Sequence, residues 1–226
     1  GEGASGVIHQ ATWQPPAAPA QQVAVKLYKG QMTSDGSPLH EMHACVTAGL
    51  QPNLIRILGR VAEHPRQQAG LVMQLIAPNY RNLADLPSLD SCSRDVYEPG
   101  RGFSAAVALN IACGVASAAG HLHEQGITHG DLYGHNTLYN ENGDCLLGDF
   151  GAASFHATAD TLEARALQRI EVRAFGILLG ELLERVDSGM SGERRQALWA
   201  LQERCCQPEV LARPCFKDIQ AALRSA

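Results

Sequence analysis

A chain of 226 residues, 45% of them hydrophobic, can bury one large core or two small lobes around a shared cleft. Its formal net charge of −5 leaves no basic footprint for nucleic acid. Seven cysteines, an odd number with no CxxC spacing, argue against a disulfide framework and for a reducing, cytoplasmic setting.

The chain opens on Gly1-Glu2-Gly3-Ala4-Ser5-Gly6-Val7-Ile8, a GxGxxG spacing followed by apolar residues. Glycines there let backbone N–H groups approach phosphate oxygens without side-chain obstruction. A dinucleotide-binding turn would need a helix directly after Gly6. The Pro- and Ala-rich stretch from Thr12 to Gln22 reads instead as a loop, and Val23 to Tyr28 as a strand. Alternation in that strand puts Ala24 and Lys26 on one face, Val23 and Val25 on the other. Pro38 to Leu50 carries a helix pattern with Leu39, Met42, Cys45 and Val46 as its apolar side. Glu41 is the only carboxylate in that helix and follows Lys26 by fifteen residues, so it is either the partner of Lys26 or an ordinary solvated charge.

Gly70 to Ile76 reads as a buried strand, whereas Ala77 to Gly102 is polar, aperiodic and carries no assignable chemistry. Ser104 can cap a helix running to about Glu124, with Val107, Ile111, Val115 and Leu122 on one side and Gly126 ending it. The span from Gly102 to His123 lacks Asp, Glu, Lys and Arg. It is long enough to cross a bilayer, but Asn110, two serines and two histidines dilute it, so a buried helix without membrane insertion is expected. His40/His43 and His121/His123 are spaced like metal pairs, yet no cysteine or carboxylate cluster completes either one.

The most informative stretch is His129-Gly130-Asp131-Leu132-Tyr133-Gly134-His135-Asn136. Two short apolar strands follow, Thr137 to Tyr139 and Cys145 to Gly148, with Asn140-Glu141-Asn142-Gly143-Asp144 as the turn between them. That hairpin would return Asp149-Phe150-Gly151 to the cavity faced by Asp131. Phosphoryl transfer needs one Asp at the acceptor hydroxyl, another against Mg²⁺, and can use an Asn on the same loop as a further metal contact.

With the HxD…N loop and the DFG triplet in this order and separation, the chain resembles the protein kinase superfamily. The resemblance runs from the glycine loop to Cys205-Cys206-Gln207-Pro208 and Ala212-Arg213-Pro214-Cys215-Phe216. It implies an α+β fold of two lobes, a small β-rich one over about residues 1–76 and a mainly helical one over about 77–226. Because Gly1 already stands inside a motif, the domain is expected to be a piece of a longer chain with further domains. The implied chemistry is transfer of the γ-phosphate of MgATP to a protein hydroxyl, on Ser or Thr rather than Tyr. Asp131 would be the base, with Lys26 and Asn136 as its catalytic companions. Gly1, Gly3 and Gly6 would cover the phosphates, and Glu41 would hold Lys26 against them. Ile8, Ala24, Met73, Gln74, Ile76 and Leu138 would surround adenine, and Asn136 and Asp149 would hold Mg²⁺.

The pattern also departs from the family. Gly130 replaces the arginine that receives an activating phosphate, which implies activity without such a switch. Tyr133 stands where serine/threonine-type members carry lysine, and His135 where tyrosine-type members carry arginine, which implies slow transfer. Glu171 opens the segment resembling the large buried helix, where Asp is usual, and follows Asp149 by only twenty-two residues with no APE triplet between. Arg213 therefore lacks its usual partner, with Glu163 as one candidate. Two other readings use the same residues: a nucleotide-binding pseudokinase, and a small-molecule phosphotransferase of the aminoglycoside or choline kinase type. The second would have to build its substrate pocket from Asp85 to Gly102.

Overall fold

The computed structural model describes residues 6–16, 19–29, 37–91 and 94–226. Gly1 and Gly3, expected over the phosphates, lie outside the described residues. Strands β1 (Gly6–Trp13) and β2 (Gln21–Tyr28) pair antiparallel over their full length, from Gly6 opposite Tyr28 to Trp13 opposite Gln21. Helix α1 (Pro38–Ala48) follows, then β3 (Ile57–Arg60) and β4 (Gly70–Gln74), giving an antiparallel sheet of order β1-β2-β4-β3. Met73 sits opposite Ala24, and Leu71 opposite Lys26.

The buried side of α1 differs from the expected one. Leu39 is 67% exposed and Val46 40%, while Glu41, Met42, Ala44 and Ala48 are buried. Small residues face inward because the helix lies close over the base of the molecule. There Ala44 and Ala48 pack with Leu54, Leu122, Ile127, Leu147 and Phe150. Gly49, at φ 67°, ends the helix two residues inside the expected limit.

The chain then runs through the short strands β5 (Arg81–Asn82) and β6 (Phe103–Ser104) into α2 (Ala105–Glu124). The Ser104 hydroxyl accepts the N–H of Val107, as a cap should. Helix α2 is long and apolar enough to cross a membrane by length and composition, but Ile111, Val115, Ala116, Ala119 and Leu122 are fully buried in the protein core. Beyond it come β7 (Ile127–Thr128), β8 (Thr137–Tyr139), β9 (Cys145–Leu147) and β10 (Ser154–Phe155). Strands β5, β8 and β9 form one small sheet, and β7 pairs with β10 in another.

Helix α3 (Leu162–Glu184) begins nine residues before Glu171, so that residue lies mid-helix rather than at a helix start. The segment Leu162-Glu163-Ala164-Arg165-Ala166-Leu167-Gln168 is made of strong helix formers, and Thr161 caps it by accepting the N–H of Ala164. Strand β11 (Val186–Ser188), α4 (Gly192–Cys205) and α5 (Phe216–Ser225) complete the chain. Val172, Phe175, Leu178 and Leu179 of α3 meet Leu198 and Leu201 of α4 and Phe216 and Ile219 of α5 around α2. Arg213 is buried, but not against Glu163, which is exposed. Its guanidinium donates to the carbonyls of Gln207 (2.8 Å) and of Arg169 on α3 (2.9 Å). Backbone oxygens thus do the tethering expected of a carboxylate.

Candidate active site

The β8–β9 hairpin sets the geometry. Asn140 closes its turn by accepting the N–H groups of Asn142 and Asp144 (3.0 Å each), and Thr137 lies opposite Leu147. Gly148 N–H then donates to the carbonyl of Asn136 (3.0 Å), which brings the chain back beside the catalytic loop. His129 is fully buried and reinforces that join, its Nε2–H donating to the Gly148 carbonyl (2.8 Å). Its other ring nitrogen accepts the N–H of Asp131 (3.3 Å), so one imidazole ties both motif segments together.

Asp131 is half-buried and held from both sides. Asn136 donates its amide to the Asp131 carbonyl (2.9 Å) and to Oδ2 (2.7 Å), and His135 Nε2 stands 3.7 Å from the same Oδ2. The His135 ring nearby, together with the amide of Asn136, holds the Asp131 carboxyl below the usual carboxylate range. Asp149 is exposed and has φ 60°, a left-handed conformation that costs a non-glycine residue about 1–3 kcal/mol and turns its carboxylate outward. Its Oδ1 accepts the N–H of Gly151 (3.2 Å), and the neighbouring Phe150 is buried 5.2 Å from the His129 ring.

On the sheet side, Lys26 and Glu41 form a largely buried ion pair, so Glu41 is the partner of that lysine rather than a solvated charge. The pair and Asp149 line one cavity of about 150 Å³, together with Ile8, Tyr28, Cys45, Leu71, Met73 and Phe150. Burial, then the charge of Glu41, pushes the Cys45 thiol up to about 12, which leaves it a packing residue rather than a nucleophile. Gly6 opens β1, where an added Cβ would stand 2.6 Å from the Leu27 carbonyl oxygen. Ala24 is buried behind Met73, and Ile76 and Leu138 are half-buried outside the lining of this cavity. Gln74 points away: its side chain accepts the N–H of Arg56 and its own N–H donates to the Arg56 carbonyl. The Gln74 N–H is therefore spent on the Arg56 carbonyl. A larger hollow of about 420 Å³, lined by Asn53, Cys113, Asp144 and Arg224, lies behind α2 and away from these residues.

The family model for protein tyrosine and serine/threonine kinases matches residues 1–177. The chain belongs to the protein kinase family. It is 25% identical to the serine/threonine-protein kinase mos of Gallus gallus over 94% of this chain and 67% of that protein. It is 23% identical to the tyrosine-protein kinase receptor TYRO3 of Danio rerio over the whole of this chain and 28% of that protein.

Within this kinase domain the structure accounts for the glycine of the HGD triplet. Gly130 has φ 78°, and a Cβ there would stand 2.2 Å from the Ala152 carbonyl oxygen, so no arginine could follow His129 on this backbone. Its N–H donates to Oε1 of Glu171 (2.8 Å), whose Oε2 accepts from His123 Nε2 (2.8 Å). Burial disfavours the charge on Glu171, but the bond and charge of His123 outweigh it and leave that carboxyl lowered. The acid at this helix position thus carries the catalytic loop on α3. His121 instead donates to the Ala48 carbonyl (2.6 Å), and His40 and His43 both pack on Phe155.

The aperiodic stretch that carried no chemistry in the sequence holds two residues of the site. Arg94 lies with its guanidinium 4.1 Å from the Tyr133 ring centre, and Tyr133 stacks in turn on His135. A lysine at position 133 would therefore meet a cation already in place, rather than fill a gap. Asp95 accepts the N–H groups of Gly134 (2.8 Å) and His135 (3.0 Å) and binds His135 Nδ1 (2.7 Å). Burial disfavours charge on His135, but Asp131 and Asp95 outweigh it and raise that imidazole to about 9. Nothing in the spacing separates Asp95 from Asp85 or Asp90 in sequence.

The donor set suits Mg²⁺, a hard cation that takes oxygen ligands and keeps waters and phosphate oxygens in its shell. Asn136 spends its amide N–H₂ on Asp131, which leaves its amide oxygen as the atom that could face a cation, and Asp149 has an exposed carboxylate. Among the described residues no three His, Cys, Asp or Glu side chains gather as a closed metal cage.

Proposed function

We propose that this domain transfers the γ-phosphate of MgATP to a protein hydroxyl, on serine or threonine rather than tyrosine. What carries the reading is that the Lys26–Glu41 pair and Asp149 share one cavity, with Asp131 on the loop stitched to Asp149 through His129. Glu41 holds the Lys26 ammonium toward the α- and β-phosphates, and Asn136 and Asp149 would hold Mg²⁺, which neutralises developing phosphate charge when bound. Asp131 orients the acceptor hydroxyl and takes its proton late, which asks for proximity more than for a raised pKa. The carboxylate kept ionised by His135 and Asn136 fits that role. The serine/threonine preference rests on the match to mos, which covers most of both chains. Six described cysteines are unpaired, in keeping with a reducing intracellular setting.

A nucleotide-binding module without transfer is the second reading, favoured by the lack of an APE triplet between Asp149 and Glu171. One set of measurements separates the two. MgATP should raise the unfolding temperature of the wild type, and much less that of Lys26→Met or Asp149→Asn. Asp131→Asn should keep the binding and lose about 10²-fold or more in transfer to a generic protein acceptor. Equal stabilisation by MgATP in all the proteins would sink the site assignment, and binding without transfer in the wild type would select the second reading.

A further inference from the structure

We propose that Asp95 and His135 form a positioning relay for Asp131, which makes the polar segment before α2 a working part of the catalytic site. The inference rests on the kinase reading above, since it assigns a role in the same reaction.

The Asp95 side chain is fully buried, although it comes from a stretch with no helical or strand pattern. A buried carboxylate persists where its oxygens are satisfied. Oδ2 accepts the Gly134 N–H, while Oδ1 takes both the His135 N–H and His135 Nδ1. Those bonds fix the backbone of the short turn between Asp131 and Asn136 together with the rotation of the imidazole. An imidazole whose Nδ1 is held by a carboxylate can point only its Nε2 outward, and here that nitrogen faces Oδ2 of Asp131 at 3.7 Å.

Asn136 donates to the same Oδ2. Both contacts therefore fall on one oxygen and hold the carboxylate in a single rotation. Oδ1 is left to meet the acceptor hydroxyl. Tyr133, stacked on His135 and covered by Arg94, closes the remaining side of the ring and keeps it from swinging away. The sequence Arg94-Asp95 thus meets the catalytic loop through a guanidinium on the Tyr133 ring and the Leu132 carbonyl (3.1 Å) and through a carboxylate on Gly134 and His135. A misplacement of about 1 Å in such a base can cost on the order of 10²-fold in rate, which gives the relay a measurable task.

The test is a double-mutant cycle on the kinase domain, measured as steady-state transfer from MgATP to a hydroxyl acceptor. His135→Gln and Asp95→Asn should each lower kcat by about 10- to 100-fold while the KM for MgATP stays within about threefold. In an Asp131→Asn background, His135→Gln should cost less than about twofold more, because the residue it positions has already lost its charge. Undiminished kcat in both single variants, or a full additional loss in the Asp131→Asn background, would overturn the relay. A parallel loss of MgATP affinity and kcat would also overturn it, by reducing Asp95 to a general scaffold residue. A wild-type domain that binds MgATP but transfers no phosphate would overturn the kinase reading itself, and the relay with it.

Discussion

Glu171 offers the sharpest test of how the catalytic loop is held. Its carboxylate is 5% exposed and makes two contacts, accepting the N–H of Gly130 and pairing with His123. Glu171→Ala removes both at once. The Gly130 N–H, left buried without an acceptor, costs about 1–3 kcal/mol, and the buried His123 ring left without its carboxylate costs a similar amount. The two overlap, so a total of about 3–5 kcal/mol is expected. At a denaturant slope of about 2–3 kcal/mol/M, the urea midpoint should fall by roughly 1–2.5 M. Glu171→Gln keeps an oxygen for Gly130, and its amide N–H₂ pairs with His123 once that ring takes the tautomer whose Nε2 accepts, so it should cost about 1–2 kcal/mol. Acid should separate the variants in a defined direction. The folded carboxyl titrates below its ordinary 4.5, so its contribution is present above that pH and is lost as pH falls through the lowered value. Glu171→Gln should therefore lack that part of the acid-induced loss. Urea melts at pH 7 and pH 4 measure both effects. Equal costs for Ala and Gln would refute the hydrogen-bond account, and a cost below about 1 kcal/mol for Ala would refute the anchoring itself.

Three further outcomes follow from named contacts. Gly130→Ala places a methyl 2.2 Å from the Ala152 carbonyl oxygen at φ 78°, so calorimetry should find a loss of roughly 2–5 kcal/mol from left-handed strain plus overpacking. Thr161→Ala should cost about 1 kcal/mol through the lost cap on α3. Ser154→Ala and Thr158→Ala should cost almost nothing in the same melts, and a transfer assay should keep all three within a few fold of the wild type, because Gly130 provides no receiver for a phosphate. His135 titrates at about 9, raised from 6.5, so the stability it adds is complete below about 6.5 and disappears as pH rises through about 9. The gap in melting temperature between wild type and His135→Gln should accordingly be wide at pH 6 and nearly closed at pH 10.

The parts of the site that were legible in the sequence are those carried by local pattern. The Lys26 strand, the Ser104 cap and the β8–β9 hairpin each announce themselves within a dozen residues, and the hairpin alone predicts the return of Asp149 toward Asp131. What escaped depends on contacts distant in sequence. Asp95 gains its importance from Gly134 and His135, some forty residues later, and no periodicity marks it. Hydrophobicity alone ranks Leu39 and Val46 of α1 above the alanines, whereas the close approach of the helix to Leu54 and Phe150 admits only small side chains there. The family motif at Glu171 marks the middle of α3, and the strong local helix preference of Leu162 to Gln168 sets its true start nine residues earlier.

The bond from Gly130 to the middle of α3 also sets a clock. Amides in a core helix exchange with solvent mainly when the whole domain opens, whereas loop amides usually exchange by small local movements. Gly130 belongs to a loop by conformation, but its N–H is tied to Glu171 within a helix whose Val172, Phe175 and Leu178 are fully buried. Its deuterium uptake should therefore run as slowly as that of α3 itself. Helix α1 rests on alanines and on two histidines against the exposed Phe155, and should exchange faster. The two walls of the cleft would then keep different time: the base stays still while the helix carrying Glu41 opens and closes over it.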